Sequence, residues 1–317
     1  MTVFKRKIAV FFIAVISPFL VWQSFSIVND FNGDREKSDF NLVREAIIAA
    51  GAHESYINRT RQLLESTVTS PIIQSRDKAS CEEYLKLFAQ ITENRIYTGT
   101  AVINAKGDIW CSTLPLPETQ VNVSDRAYFK KVMETKTFTI GEYQIGRLSG
   151  IPGIPLVYPM LDRNGEVTGM VAAQINAHEL VNYFSADKLK DGFVFLLLDR
   201  NGALLARLPT NKEFIGKQLS DQHEFLKTLR EQEAFGLSDG VFKGMDFDGI
   251  QRVFGFTKIS PKNAVSDLDL YILVGMEQRL AYAAAYSGLF NRFGVLFGLT
   301  FLGIFFAAIA QRLFLKN

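Results

Sequence analysis

The segment Asp125-Arg126-Ala127-Tyr128-Phe129 carries the residues best suited to hold a ligand. A guanidinium is a planar fork of donors that matches a carboxylate or a phosphate. Arg126 stands near the start of a predicted helix, where backbone N–H groups and the helix dipole also favour an anion. Such a charge-assisted contact contributes about 1.5–3 kcal/mol net. The same arginine would be silent if a salt bridge to Asp125 or another carboxylate absorbed it, and the residues alone leave both readings open. Tyr128 and Phe129 are adjacent, so on a helix one faces a pocket and the other the core. Both are candidates, with Tyr128 preferred for its hydroxyl. Tyr143, Arg147 and Tyr158 lie on neighbouring strands and turns, placed to close the side of a pocket. Gln174 and Asn176 alternate to face inward from a later strand and would hydrogen-bond a neutral group.

Little else in the chain points to catalysis. His53, His178 and His223 lie far apart and lack metal-ligand spacing. There is no Gly-x-Ser-x-Gly and no P-loop. No catalytic residue, metal or cofactor is expected, which argues against an anchored extracellular enzyme. A net charge of +2 with no long basic run gives no reason to expect nucleic acid.

The apolar residues are concentrated at the ends. Residues 8–29 carry no charge and follow Lys5, Arg6 and Lys7. Between Arg292 and Arg312 a second uncharged stretch occurs, led in by another from Leu280. About 20 apolar residues cross a bilayer, and basic flanks stay in the cytoplasm. The reading is a two-pass protein of the bacterial inner membrane. It has a cytoplasmic end at 1–7, a membrane helix at 8–29, a helix at 279–311 leading into and forming the second span, and a cytoplasmic end at 312–317. Arg292 would snorkel at the outer boundary. Ser24-Phe25-Ser26 leaves open a cleaved signal peptide, in which case the second span still anchors the chain.

The middle of the chain then lies outside, where the compartment is oxidising. Cys81 and Cys111, the only two cysteines, are expected to pair there, the alternative being two unrelated buried thiols. The bridge would close a loop worth about 3 kcal/mol in the chain-entropy model.

From about Ser38 to Pro71 one long helix is predicted, within a stalk spanning 30–78. Val43, Ile47, Ala50, Ile57, Leu64 and Val68 form an apolar stripe, and Leu42, Ala46, Ala49, Tyr56 and Leu63 a line beside it. The stripe would support a homodimer, pack against its own sheet, or both. A short helix near Cys81–Thr92 precedes a hairpin through Lys106-Gly107. Next come a helix at Asp125–Thr135 capped by Ser124 or Asp125, and strands at Phe138–Ile145, Ile154–Leu161 and Val167–Ile175. This predicts a five-stranded antiparallel sheet of PAS-like layout at 79–186, ending in a helix at Ala177–Ala186. A second hairpin with an Asp199–Gly202 turn opens a smaller unit at 187–278. It continues with a helix near Asp221–Phe235 and strands at Gly240–Phe247, Gln251–Lys258 and Leu270–Met276. The fold class is α+β: two tandem PAS-like subdomains on a long N-terminal helix, flanked by two transmembrane helices.

Residues 125–180 resemble the membrane-distal half of double Cache domains. The likeness rests on Asp125-Arg126-x-Tyr128-Phe129, Gly141–Gly146, Ser149-Gly150, Tyr158-Pro159 and Gly165–Gly169. The Trp110-Cys111-Ser112-Thr113 segment is similar to a subset of the family with a cysteine pair, and the likeness extends over about residues 35–280. The resemblance implies an extracytoplasmic sensor of a bacterial chemoreceptor, sensor histidine kinase, or diguanylate cyclase or phosphodiesterase. It also implies a small polar metabolite in the distal pocket. An amino-acid-binding subset has a fuller motif, from which this sequence departs. Val121 stands for its leading tyrosine, Gln144 and Gly146 for the tyrosine and aspartate of its middle strand, and Gln174 for its late aspartate. The clamp for an amine is missing, so the expected ligand is a small mono- or dicarboxylate at Arg126. The proximal subdomain is expected to transmit the signal through the helix from Glu277 to Ala310 to an output domain, in the same chain or in a partner. The tail Ala310–Asn317 resembles the entry to a HAMP-type linker. The alternative is a structural or partner-binding membrane protein of the same fold without a ligand.

Overall fold

The computed structural model describes residues 2–91, 96–185, 192–261, 264–266 and 268–314. The chain divides into two compact units, Leu42–Met276 and a second made of Met1–Asn41 with Glu277–Asn317.

Helix α1 runs unbroken from Thr2 to Thr69. The sequence predicts a separate stalk helix from about Ser38, but nothing before it stops the helix. The helix runs through Pro18, where an interior proline costs about 3 kcal/mol, and through Gly33, where an interior glycine costs about 1 kcal/mol. The end comes at Ser70-Pro71, where a proline without an N–H starts the short α2 (Pro71–Gln74). Of the predicted stripe, Ala50, Ile57, Leu64 and Val68 are buried, but Ile47 is 49% exposed. At that level Leu42, Ala46 and Ala49 of the neighbouring line are buried instead. A seam drawn in sevens drifts ~20° per repeat around a straight helix, so two lines share the buried side in turn. Strand contact here is close. A Cβ on Gly255 would stand 2.3 Å from the backbone carbon of Leu42.

Helix α3 (Lys78–Ile91) follows; its predicted last residue, Thr92, lies outside the described residues. The Cys81–Cys111 disulfide ties α3 to β2 (Ile109–Ser112), the second strand of a hairpin opened by β1 (Tyr97–Asn104). Next come α4 (Ala127–Thr135), β3 (Thr139–Ile140), β4 (Gln144–Ile145), β5 (Pro152–Leu161) and β6 (Val167–Ile175). The helix starts two residues later than predicted. Arg126, with extended backbone, occupies the N-cap position, and neither Ser124 nor Asp125 does. The single strand expected at Phe138–Ile145 is split into β3 and β4, which both pair with β5. Between the two pairings lies Pro155, which has no N–H to give a ladder. Helix α5 (Ala177–Ser185) closes this half; Ala186 and the expected boundary at 187 fall outside the described residues.

The second half holds β7 (Phe193–Asp199), β8 (Leu204–Leu208), α6 (Glu224–Ala234), β9 (Asp239–Met245), β10 (Gln251–Ile259), β11 (Val265–Ser266) and β12 (Leu270–Glu277). Its sheet has the order β8-β7-β12-β10-β9. Its core is aromatic, with Phe225, Phe242, Phe254, Phe256 and Tyr271 all buried and the rings of Phe242 and Phe254 stacked 5.0 Å apart. At its end Asp246, fully buried, lies 2.9 Å from Arg207 and 2.7 Å from Arg252.

The first sheet has the order β11-β3-β5-β6-β1-β2, with β4 also on β5. The expectation of a purely antiparallel five-stranded sheet is therefore corrected. The short β11, from the second half of the chain, adds in parallel to the free edge of β3. An unpaired edge offers backbone groups to any segment that reaches it, and here the long β10–β12 connection does.

In the other unit, β12 leads into α7 (Gln278–Ala281) and, after a break at Tyr282, α8 (Ala283–Phe314). The predicted continuous helix from 279 is thus interrupted. The break is locked to α1: buried Tyr282 donates its hydroxyl to Asp39 Oδ1 at 2.6 Å, and the Arg35 guanidinium lies 4.9 Å from its ring centre. Arg292, expected to snorkel at the outer boundary, is ion-paired with Asp30. Ala283–Phe306 is long and apolar enough to cross a membrane, and its phenylalanines are exposed except for the half-buried Phe293.

Candidate functional site

One face of the first sheet is hollow. Side chains alternate across strands, and Ala101 of β1 and Ala172 of β6 are paired neighbours. With Gly99 they leave space that larger residues would fill. The result is a cavity of about 70 Å³, roofed by residues from α4 and the β4–β5 turn. A water needs ~10–15 Å³ on this measure, so several waters or one small solute fit.

Arg126, Tyr128, Arg147 and Gln174 line this cavity together. Because Arg126 precedes the first helical residue, its side chain reaches across to β4. It donates to Gln144 Oε1 at 2.9 Å and to the Ile145 carbonyl at 3.2 Å. Both acceptors are neutral, so its positive charge is hydrogen-bonded but not cancelled. The acid beside it is taken by another residue. Arg147 holds both oxygens of Asp125, at 2.8 and 2.5 Å, and also donates to the Asn122 carbonyl. The hydrogen bonds from Arg147 hold the Asp125 carboxyl below its ordinary range. Burial pushes the Tyr128 phenol up to about 12, so it stays a neutral donor. Gln174 gives its amide N–H to the Ile151 carbonyl at 2.7 Å and lies against Gly146 and Gly153, neither of which has room for a Cβ.

Four other sequence candidates do not line the cavity. Phe129 is buried in the core beneath α4 and does not border the cavity, whereas Tyr128 belongs to the same core and also borders it. Tyr143 is half-buried and off the cavity lining. Tyr158 is on the opposite face of β5 from Pro155 and Val157. It interacts with Glu65 of α1, and its ring lies 6.4 Å from that of Phe138. Asn176 lies just beyond β6 and caps α5, accepting from the His178 N–H at 3.0 Å. For Tyr143, Tyr158 and Asn176 the difference comes from strand parity and strand length, which a one-residue uncertainty in register reverses.

Sequence reasoning missed the cavity's walls at Gly99, Ala101, Ser149 and Ala172. The signal was present as small residues at alternate positions of two strands. It needed the β1–β6 pairing to be read. Among the described residues no three His, Cys, Asp or Glu side chains gather as a metal site.

Two PAS-like sheets carried on one long helix are the layout of the double Cache class of sensor domain. The comparison with known families agrees: the Cache domain profile, in its double form, matches residues 40–285. The chain belongs to the Cache domain family. Sporulation kinase D of Bacillus subtilis (strain 168) is 36% identical over 94 residues, 29% of this chain and 18% of that protein. The chain thus matches under a fifth of that relative's length.

Similar folds occur in solved ligand-binding domains. That of the Pseudomonas fluorescens chemoreceptor CtaA, in complex with L-isoleucine, superposes with a TM-score of 0.58 at 19% identity, covering 80% of this chain and 98% of that one. That of the Pseudomonas aeruginosa PAO1 amino acid chemoreceptor PctB, in complex with L-Arg, gives 0.59 at 17% identity, covering 78% and 98%. The extracellular domain of the putative histidine kinase rpHK1S-Z16 gives 0.59 at 18% identity, covering 75% and 94%.

Proposed function

We propose that this chain is the sensory input module of a bacterial transmembrane signalling receptor and takes a small organic anion in the cavity beside Arg126. The observation that carries the reading is the state of Arg126: it borders a cavity, and its hydrogen bonds go to neutral oxygens while Arg147 takes Asp125. Tyr128 and Gln174 would complete the contacts to the ligand. A mono- or dicarboxylate fits, because Asp125, the nearby acid, is already engaged and would not hold an ammonium. The amino acids in the CtaA and PctB structures give the second class to screen.

The topology is part of the same proposal. Residues 1–7 would be cytoplasmic, 8–29 a membrane helix, 30–78 a stalk, 79–186 the distal and 187–278 the proximal subdomain. Residues 279–311 would lead into and form the second span, and 312–317 would return to the cytoplasm. The outward-facing apolar helix from Ala283 to Phe306 favours a membrane around it. A homodimer would use exposed Ile47 and Ile48 of α1. Ligand would bias one of two arrangements, and the output, a kinase or cyclase in the same chain or a partner, would read it. The module itself would perform no catalysis.

A thermal-shift screen of small carboxylates and amino acids tests the binding claim. A ligand at 100 times its dissociation constant adds about 2.7 kcal/mol of stability. At the same ligand concentration Arg126→Gln should cut that to about 1.4 kcal/mol or less for the hit. Hits that are all indifferent to that substitution, or no hit in either class, would refute the reading. A reporter fused near residue 150 that proves cytosolic would refute the topology.

A further inference from the structure

The other face of the first sheet carries a second opening that the proposed sensory role does not use. At the turn from α2 into α3 a groove of about 330 Å³ is lined by Arg76, Lys78, Trp110, Met160 and Gly169. Its floor is apolar. Gly169 is forced by close strand approach, since a Cβ there would stand 2.7 Å from the Ile103 carbonyl oxygen, and its missing side chain keeps the floor low.

The groove's charge is one-sided. Arg76 and Lys78 contribute two cations, and no acid lines it. The neighbouring acids point their oxygens elsewhere. Asp77 caps α3, accepting from the Ser80 N–H at 2.9 Å. Asp108 is held by the amides of Asn104 and Asn122, at 3.1 and 2.7 Å. Lys78 meets Glu82 only at 3.9 Å, on the exposed helix surface. Arg76 also sits at φ 59, a left-handed conformation that favours glycine, so a glycine would serve the turn better than the arginine found there.

We propose that this groove binds an aromatic carboxylate. The ring would stack on Trp110 and meet the Met160 sulfur, and the carboxylate would be held by Arg76 and Lys78. The site is independent of Arg126, because the two openings lie on opposite faces of the sheet and share only Ile103 in their linings.

The chain has two tryptophans, so in full-length protein carrying Trp22→Phe, in detergent, the fluorescence of Trp110 reports the groove alone. Benzoate should give a saturable change with a dissociation constant in the millimolar range or below, and benzyl alcohol a response at least ~10-fold weaker. Arg76→Gly relieves the turn while deleting the guanidinium, and should raise thermal stability yet weaken benzoate binding ~10-fold. Lys78→Gln should weaken it without touching the turn. Arg126→Gln should leave benzoate binding unchanged. The proposal is overturned if neither fluorescence nor thermal shift saturates with benzoate, if both cation variants bind as the parent does, or if binding is lost only in Arg126→Gln.

Discussion

Arg147, and not Arg126, is the partner of Asp125: its terminal nitrogens lie 2.8 and 2.5 Å from the two carboxylate oxygens. The acid next to Arg126 in sequence is thereby kept off it in space. The two arginines should separate experimentally. Arg126→Gln should cost ligand affinity about 10- to 100-fold, the range of one charge-assisted contact. Arg147→Gln should free Asp125 to compete for Arg126, so affinity falls there too, and adding Asp125→Asn should restore part of it. Calorimetric titration of the three variants checks this; additive losses in the double variant would refute the competition.

The same pair has a pH signature. The Asp125 carboxyl titrates lower in the folded chain than in the unfolded one. Its contribution is present above the unfolded carboxylate range and fades as pH falls through the folded value. His53 acts in the same direction and more strongly. Burial lowers it from 6.5 to about 4, so the unfolded chain takes up a proton that the folded chain refuses. Stability should fall as pH drops from about 6.5 towards 4, by an amount of order 3 kcal/mol from this residue, and level off below. Denaturation midpoints of His53→Leu against the parent across that window should show a flatter curve for the variant.

The disulfide joins residues separated by 30 positions, and Cys81→Ser with Cys111→Ser should lower stability by about 3–4 kcal/mol. Reductant should do the same to the parent and nothing to the double variant. Urea denaturation measures both.

Two glycines predict opposite kinds of damage. Gly255→Ala places a Cβ 2.3 Å from helix backbone that cannot yield, and should cost about 2–3 kcal/mol or more. Gly146→Ala meets the ends of Ser149 and Gln174 side chains, at 2.4 and 2.6 Å, which can swing away. The displaced Gln174 amide would lose its bond to Ile151, costing about 1 kcal/mol, and would enter the cavity. Ligand binding should suffer in Gly146→Ala more than folding does, and the reverse should hold for Gly255→Ala in denaturation and titration experiments.

Much of this protein is decided by residue type and period alone. Apolar length marks Ala283–Phe306 as a potential span, the spacing of small and aliphatic residues makes α1 a helix with a buried side, and the turn Asp162–Gly165 joins two antiparallel strands. These are local properties, set by the 3.6-residue and two-residue repeats and by where proline or glycine must fall. Tertiary structure decided what lies across the sheet. It turned Tyr158 towards α1, spent Asn176 on a cap, gave Asp125 to Arg147 and brought β11 to the edge of β3. Each of these depends on a strand's parity or on a partner many residues away. Neither is written into a single segment, because a shift of one residue exchanges the two faces and a cavity exists only where several small side chains meet.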